Sequence, residues 1–189
     1  MKLTAFLVLV ISSRVMAQSH HGDGGHQRRD HGQPEGAQSR LGEEIKDFSL
    51  TDNTGKVFQL TERSKGTLVV LTFWCTTCMS CRQMEKEFDK KAKEYKDKGA
   101  LFLMVASNST ENADQVNRFL KKNELSFPVL MDSESKIAQY FGSTLTTTTA
   151  VIDTHGRLRY YGAFSKADEA VRDLIAGKDV AVPESRPSG

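Results

Sequence analysis

Cys75, Cys78 and Cys81 recur every third residue and are the only cysteines in this 189-residue chain. They directly follow the apolar run of residues 67–74 (TLVVLTFW) and precede a long charged segment. A strand that delivers thiols to the first turn of a helix lowers their pKa, because unpaired backbone N–H groups and the helix dipole favour the thiolate. Thiols so placed point to redox or metal chemistry. As donors, three soft thiolates suit copper or zinc, or an iron–sulfur cluster, although the motif itself contains no fourth ligand.

The elements around the cysteines can be read from periodicity. Residues 67–74 are nearly all β-favouring, as in a strand buried on both faces, and residues 101–106 form a second such run. Met84, Phe88, Ala92 and Tyr95 recur at helical spacing until Gly99 stops them. Residues 47–50 and 57–60 read as short strands around a turn. A helix capped by Ser109 or Thr110 carries Ala113, Val116, Phe119 and Leu120. A short strand at 127–131 follows, then a helix with Ile137, Tyr140 and Phe141. Residues 148–153 and 158–161 flank the turn 153–156 as a hairpin, and residues 167–176 make a last helix. Strands alternating with helices imply an α/β fold, a central mixed sheet covered on both faces.

The ends differ in character. Residues 1–17 carry Lys2, an apolar stretch from Leu3 to Ile11, and small or apolar side chains at Val15 and Ala17, which reads as a secretory signal peptide. The apolar stretch is about half of the roughly 20 residues that a membrane span needs, so no stable membrane insertion is expected. Residues 18–40 hold no large apolar side chain and read as a disordered His/Gly-rich arm. His20, His21, His26 and His31 in that arm are candidate metal ligands. Residues 41–177 are the size of one domain, and 178–189 read as a flexible tail. Removing Lys2 and Arg14 leaves 24 basic against 24 acidic residues. A neutral chain without a basic stripe argues against a nucleic-acid partner. Export places the protein in the periplasm or outside the cell, where disulfides persist.

The order of elements, the sequence Trp74-x-x-x-Cys78-Met79-Ser80-Cys81 at the strand-to-helix junction, and the late strand Ala150-Val151-Ile152-Asp153 resemble the thioredoxin superfamily. The likeness extends to exported thiol-disulfide reductases and peroxiredoxin-like redoxin proteins of the AhpC/TSA type. The resemblance implies a three-layer sandwich over residues 41–177. It also implies that Cys78 attacks and Cys81 resolves, forming an intramolecular disulfide on protein thiol substrates and being recharged by an electron-donor redox protein. No cofactor is then required.

The pattern departs from that family at two positions. Where such proteins carry a cis-proline beside the thiols, this chain has Thr147, within residues 144–149 (TLTTTT). Thr146 and Thr147 are therefore expected to face substrate. Cys75 stands where alanine is common, and reads as a small buried residue, a third redox partner, or one ligand of a copper or zinc site with Cys78 and Cys81. Trp74 is expected to shield the thiols. Glu85 is a candidate for proton transfer, although a helical Glu is more often a solvated residue. A peroxidase of peroxiredoxin type would need Pro and Thr/Ser before the nucleophile, where this chain has Leu71 and Cys75. Arg82 is expected on the open helix surface, and His155 in a turn away from the cysteines.

Overall fold

The structure, a computed structural model, describes residues 40–186. The expected signal peptide and nearly all of the expected arm, with its four histidines, lie outside the described residues. Seven strands form one sheet: β1 (Ser49–Asp52), β2 (Val57–Gln59), β3 (Leu68–Trp74), β4 (Ala100–Ala106), β5 (Val129–Met131), β6 (Thr148–Ile152) and β7 (Leu158–Ala163). Five helices join them: α1 (Leu60–Arg63), α2 (Cys81–Tyr95), α3 (Ala113–Lys122), α4 (Lys136–Tyr140) and α5 (Phe164–Ile175). The strand order is β2-β1-β5-β4-β3-β6-β7. β3, β4 and β5 run parallel, and the flanking pairs are antiparallel. The α/β sandwich expected from the sequence is present.

β3 is central because every one of its residues is buried. Successive side chains of a strand point to opposite faces, so Val70 and Trp74 enter one core with Phe88 of α2, Val116 of α3 and Ala167 of α5. Val69, Leu71 and Phe73 enter the other with Leu60 of α1 and Ile137 of α4. The one polar residue of β3, Thr72, is matched across the pair with β6 by Thr149, hydroxyl to hydroxyl at 2.9 Å. An apolar strand thus carries no unsatisfied group.

Several element ends depart from the sequence expectation, for local reasons. α3 is capped by Asn112, whose side chain accepts from Gln115 N while the Gln115 side chain accepts from Asn112 N. That reciprocal capping box displaces Ser109 and Thr110. α5 starts three residues earlier than expected, at Phe164, whose amide donates to the Thr147 carbonyl at 3.2 Å. α1 is a single turn with no signature in the sequence.

The segment expected as a flexible tail is hydrogen-bonded to the domain as far as Ser185. Tyr161 N donates to Pro183 O at 3.0 Å and Ser185 N to Tyr161 O at 3.2 Å. The Ser185 hydroxyl accepts from Ala163 N at 2.9 Å and bonds the Tyr160 hydroxyl at 2.6 Å. Gly162 permits this approach, since a Cβ there would sit 2.4 Å from Ser185 O. Among the described residues no helix is long and apolar enough to cross a membrane.

Candidate active site

β3 runs in register with β4 from Leu68↔Ala100 to Trp74↔Ala106, so the loops that leave the two strands lie side by side. The first is residues 75–80 and carries the thiols; the second is residues 107–112. Cys78 is half-buried, Cys75 half-buried, Cys81 fully buried, and all three are free thiols.

Cys78 precedes the helix rather than opening it, since α2 begins at Cys81 behind Ser80. Its thiolate is therefore favoured by specific donors rather than by the first turn alone. The Ser80 hydroxyl lies 3.0 Å from its sulfur and the Thr146 hydroxyl 2.9 Å. Partial burial pushes the Cys78 thiol up, but hydrogen bonds from Cys81, Ser80 and Thr146 outweigh it and bring it from 9.0 to about 7. Cys81 goes the other way. Burial first, then its bond to Cys78, pushes it to about 12. Two thiols within hydrogen-bonding reach thus divide into a half-buried one whose pKa is lowered and a buried one whose pKa is raised.

Thr147 is buried and has φ +72°, a left-handed conformation that costs a β-branched residue roughly 1–3 kcal/mol. The surrounding backbone holds it there. Its amide donates to Phe73 O at 2.7 Å, and its carbonyl accepts from Phe164 N. The position where the resemblance expects a cis-proline is thus a hydrogen-bonded turn that fixes Thr146 against Cys78.

Glu85 is not a solvated residue: it is buried, accepts from Trp74 Nε1 at 2.9 Å, and pairs with Arg82 at 3.5 Å. Trp74 itself is buried edge-on against Phe119 and Phe127. Arg82 is exposed, as expected, and from the surface it lies 4.3 Å over the Phe119 ring and donates to Thr76 O at 2.7 Å. The Glu85 carboxylate is thereby committed to the tryptophan and the arginine, and through Arg82 to the thiol loop.

Glu111 was not among the residues singled out in the sequence. It is buried, accepts from Thr76 N at 2.6 Å and from the Thr76 hydroxyl, and is oriented by Asn108 Nδ2 at 2.7 Å. The signal for it is topological: a parallel neighbour of the cysteine strand must send its own loop past the thiols, and 107–112 contains one acid.

Cys75 adjoins the pair through its backbone: its carbonyl accepts from Cys78 N at 3.3 Å. Burial raises its pKa, and its sulfur contacts the Thr77 hydroxyl at 3.6 Å. Among the described residues no three His, Cys, Asp or Glu side chains come together as a metal site. His155 lines a cavity with Leu68, at the opposite end of β3 from Trp74.

Known proteins resemble this chain in sequence and fold. The AhpC/TSA family model matches residues 41–161. The thioredoxin-like protein YneN of Bacillus subtilis is 32% identical over 129 residues, covering 67% of this chain and 75% of its own. A thiol-disulfide oxidoreductase ResA from Halalkalibacterium halodurans is 32% identical over 120 residues, covering 64% and 66%. In three dimensions the exposed lipoprotein thioredoxin Etrx1 of Streptococcus pneumoniae superposes with a TM-score of 0.57 at 26% identity, covering 70% of this chain and 99% of that one. With the sheet, the thiol pair and the family match in agreement, the chain belongs to the AhpC/TSA family of thioredoxin-like proteins.

Proposed function

We propose that this thioredoxin-like oxidoreductase reduces disulfides of exported proteins through Cys78 and Cys81. The observation that carries the reading is the division of labour between the two thiols, Cys78 brought to about 7 at the surface and Cys81 held at about 12 below it. The Cys78 thiolate attacks one sulfur of a substrate disulfide, forms a mixed disulfide and releases the other substrate sulfur as a thiolate. Cys81 then loses its proton and attacks Cys78 Sγ. The enzyme disulfide forms, the second substrate thiol leaves, and two electrons have passed to the substrate.

The handover follows from the electrostatics. After burial, the bond to Cys78 and the Cys78 charge are what raise the Cys81 pKa. A mixed disulfide abolishes both, while Thr146 and the Cys75 amide still favour the Cys81 thiolate. The resolving thiol is thus activated by the step that needs it. The chemistry calls for no cofactor, and two electrons must return from a donor redox protein. Export rests on the signal-like residues 1–17 and on the likeness to an exposed lipoprotein thioredoxin.

The test is reduction of a small disulfide protein, insulin, by the dithiol form under stopped-flow conditions. Cys78→Ser abolishes the reaction, Cys81→Ser accumulates a mixed disulfide visible on a non-reducing gel, and Cys75→Ser stays within about twofold of the parent. A mixed disulfide that forms through Cys75 would overturn the assignment.

A further inference from the structure

At the far end of the sheet from the thiols lies a cavity of about 570 Å³, within the size range of ligand sites. Thr67, just before β3, and Ala100, at the start of β4, line it. The thiols follow the other end of β3, seven residues and roughly 20 Å away. The cavity shares no residue with the active site.

Its lining is divided by polarity. Ala92, Leu101 and Pro128 offer half-buried apolar surface beside the rings of Phe102 and Phe127. The rim carries Arg63, Lys65, Lys93 and Lys96 against a single carboxylate, Glu62. Lys93 is already engaged by Asp89. Among the described residues, Arg63, Lys65 and Lys96 have no ion-pair or hydrogen-bond partner. On α2, Lys91 is paired with Asp168, and just beyond its end Lys98 is paired with Glu94. Three unneutralised cations over an apolar floor form an excess of one sign where α1, its following loop and the end of α2 converge.

We propose that this cavity binds an amphipathic organic anion, a carboxylate or sulfonate carried on an aromatic or short alkyl body. The body removes water from the apolar floor, a favourable transfer, while the head meets the three free cations. Neither half suffices alone. A small inorganic anion leaves the floor wet, and a neutral aromatic leaves the cations without a partner.

The full chain is titrated with 8-anilinonaphthalene-1-sulfonate, followed by its fluorescence, against the uncharged N-phenyl-1-naphthylamine and against inorganic sulfate. The proposal expects one saturable equivalent of the sulfonate, bound about tenfold or more tighter than either control, about 1.4 kcal/mol. Replacing Arg63, Lys65 and Lys96 together by Gln weakens it by that margin, and Glu62→Gln, which removes the opposing charge, tightens it. Equal binding of the uncharged compound, non-saturating uptake, or no response to either set of substitutions overturns the proposal.

Discussion

The Thr146 hydroxyl lies 2.9 Å from Cys78 Sγ, and the backbone that puts it there is the left-handed turn at Thr147. The threonine-rich stretch thereby supplies a donor to Cys78. Thr146→Val keeps the shape and removes the donor. A hydrogen bond to a charged group contributes about 1.5–3 kcal/mol, less where solvent screens it, so the Cys78 pKa should rise by about one pH unit. The pH dependence of alkylation by iodoacetamide measures this directly, and an unchanged midpoint near 7 would show that Thr146 is a bystander.

The same thiol makes the stability of the dithiol form depend on pH. Between about 7 and 9 the folded state has ionised Cys78 while the unfolded chain still holds that proton. The unfolded state binds more protons there, so this contribution grows as pH rises through the window and is lost as pH falls to 7. Cys81 acts in the opposite sense above 9, where the unfolded thiol ionises and the folded one does not until about 12. Urea unfolding of reduced protein should therefore show the gap between the parent and Cys78→Ser widening from pH 7 to 9, and the advantage of the parent over Cys81→Ser shrinking above 9.

Glu111 and Arg82 grip Thr76 from opposite ends, one by its amide and hydroxyl and the other by its carbonyl. Glu111→Gln retains the size of the side chain but weakens two charge-assisted bonds to a buried acceptor. The expected cost is about 1–3 kcal/mol in urea unfolding. It should be accompanied by slower disulfide reduction, because the loop that carries Cys78 loses one of its anchors. A variant of unaltered stability would mean that Arg82 alone holds the loop.

What could be read from residue order was governed by periodicity and local chemistry. The β-favouring apolar runs around Val70 and Leu103 read as buried strands, and the thiol pair came from the resemblance to thioredoxin-like proteins at Trp74 to Cys81. The remainder depends on partners distant in sequence. Glu85 looks solvated until Trp74, eleven residues earlier, is seen to donate to it. Arg82 is on the surface, but its partners Phe119 and Thr76 could not be read from the sequence. The start of α5 is set by the Thr147 carbonyl, and Ser185 belongs to the domain because Tyr160 and Ala163 bond it. None of these pairings leaves a periodic trace.

Thr147 yields the sharpest prediction, because restoring the family's usual residue there should do harm. Proline fixes φ near −65° and has no N–H, whereas Thr147 has φ +72° and donates to Phe73 O at 2.7 Å. Thr147→Pro must therefore break that bond and rebuild the turn, moving Thr146 away from Cys78. The expected loss is about 2 kcal/mol or more of stability, with a rise in the Cys78 pKa like that of Thr146→Val. Urea unfolding and iodoacetamide kinetics on the same variant separate the two effects. A variant as stable as the parent, with its thiolate still near 7, would mean that the turn accommodates proline and that its left-handed form is not what positions the threonine.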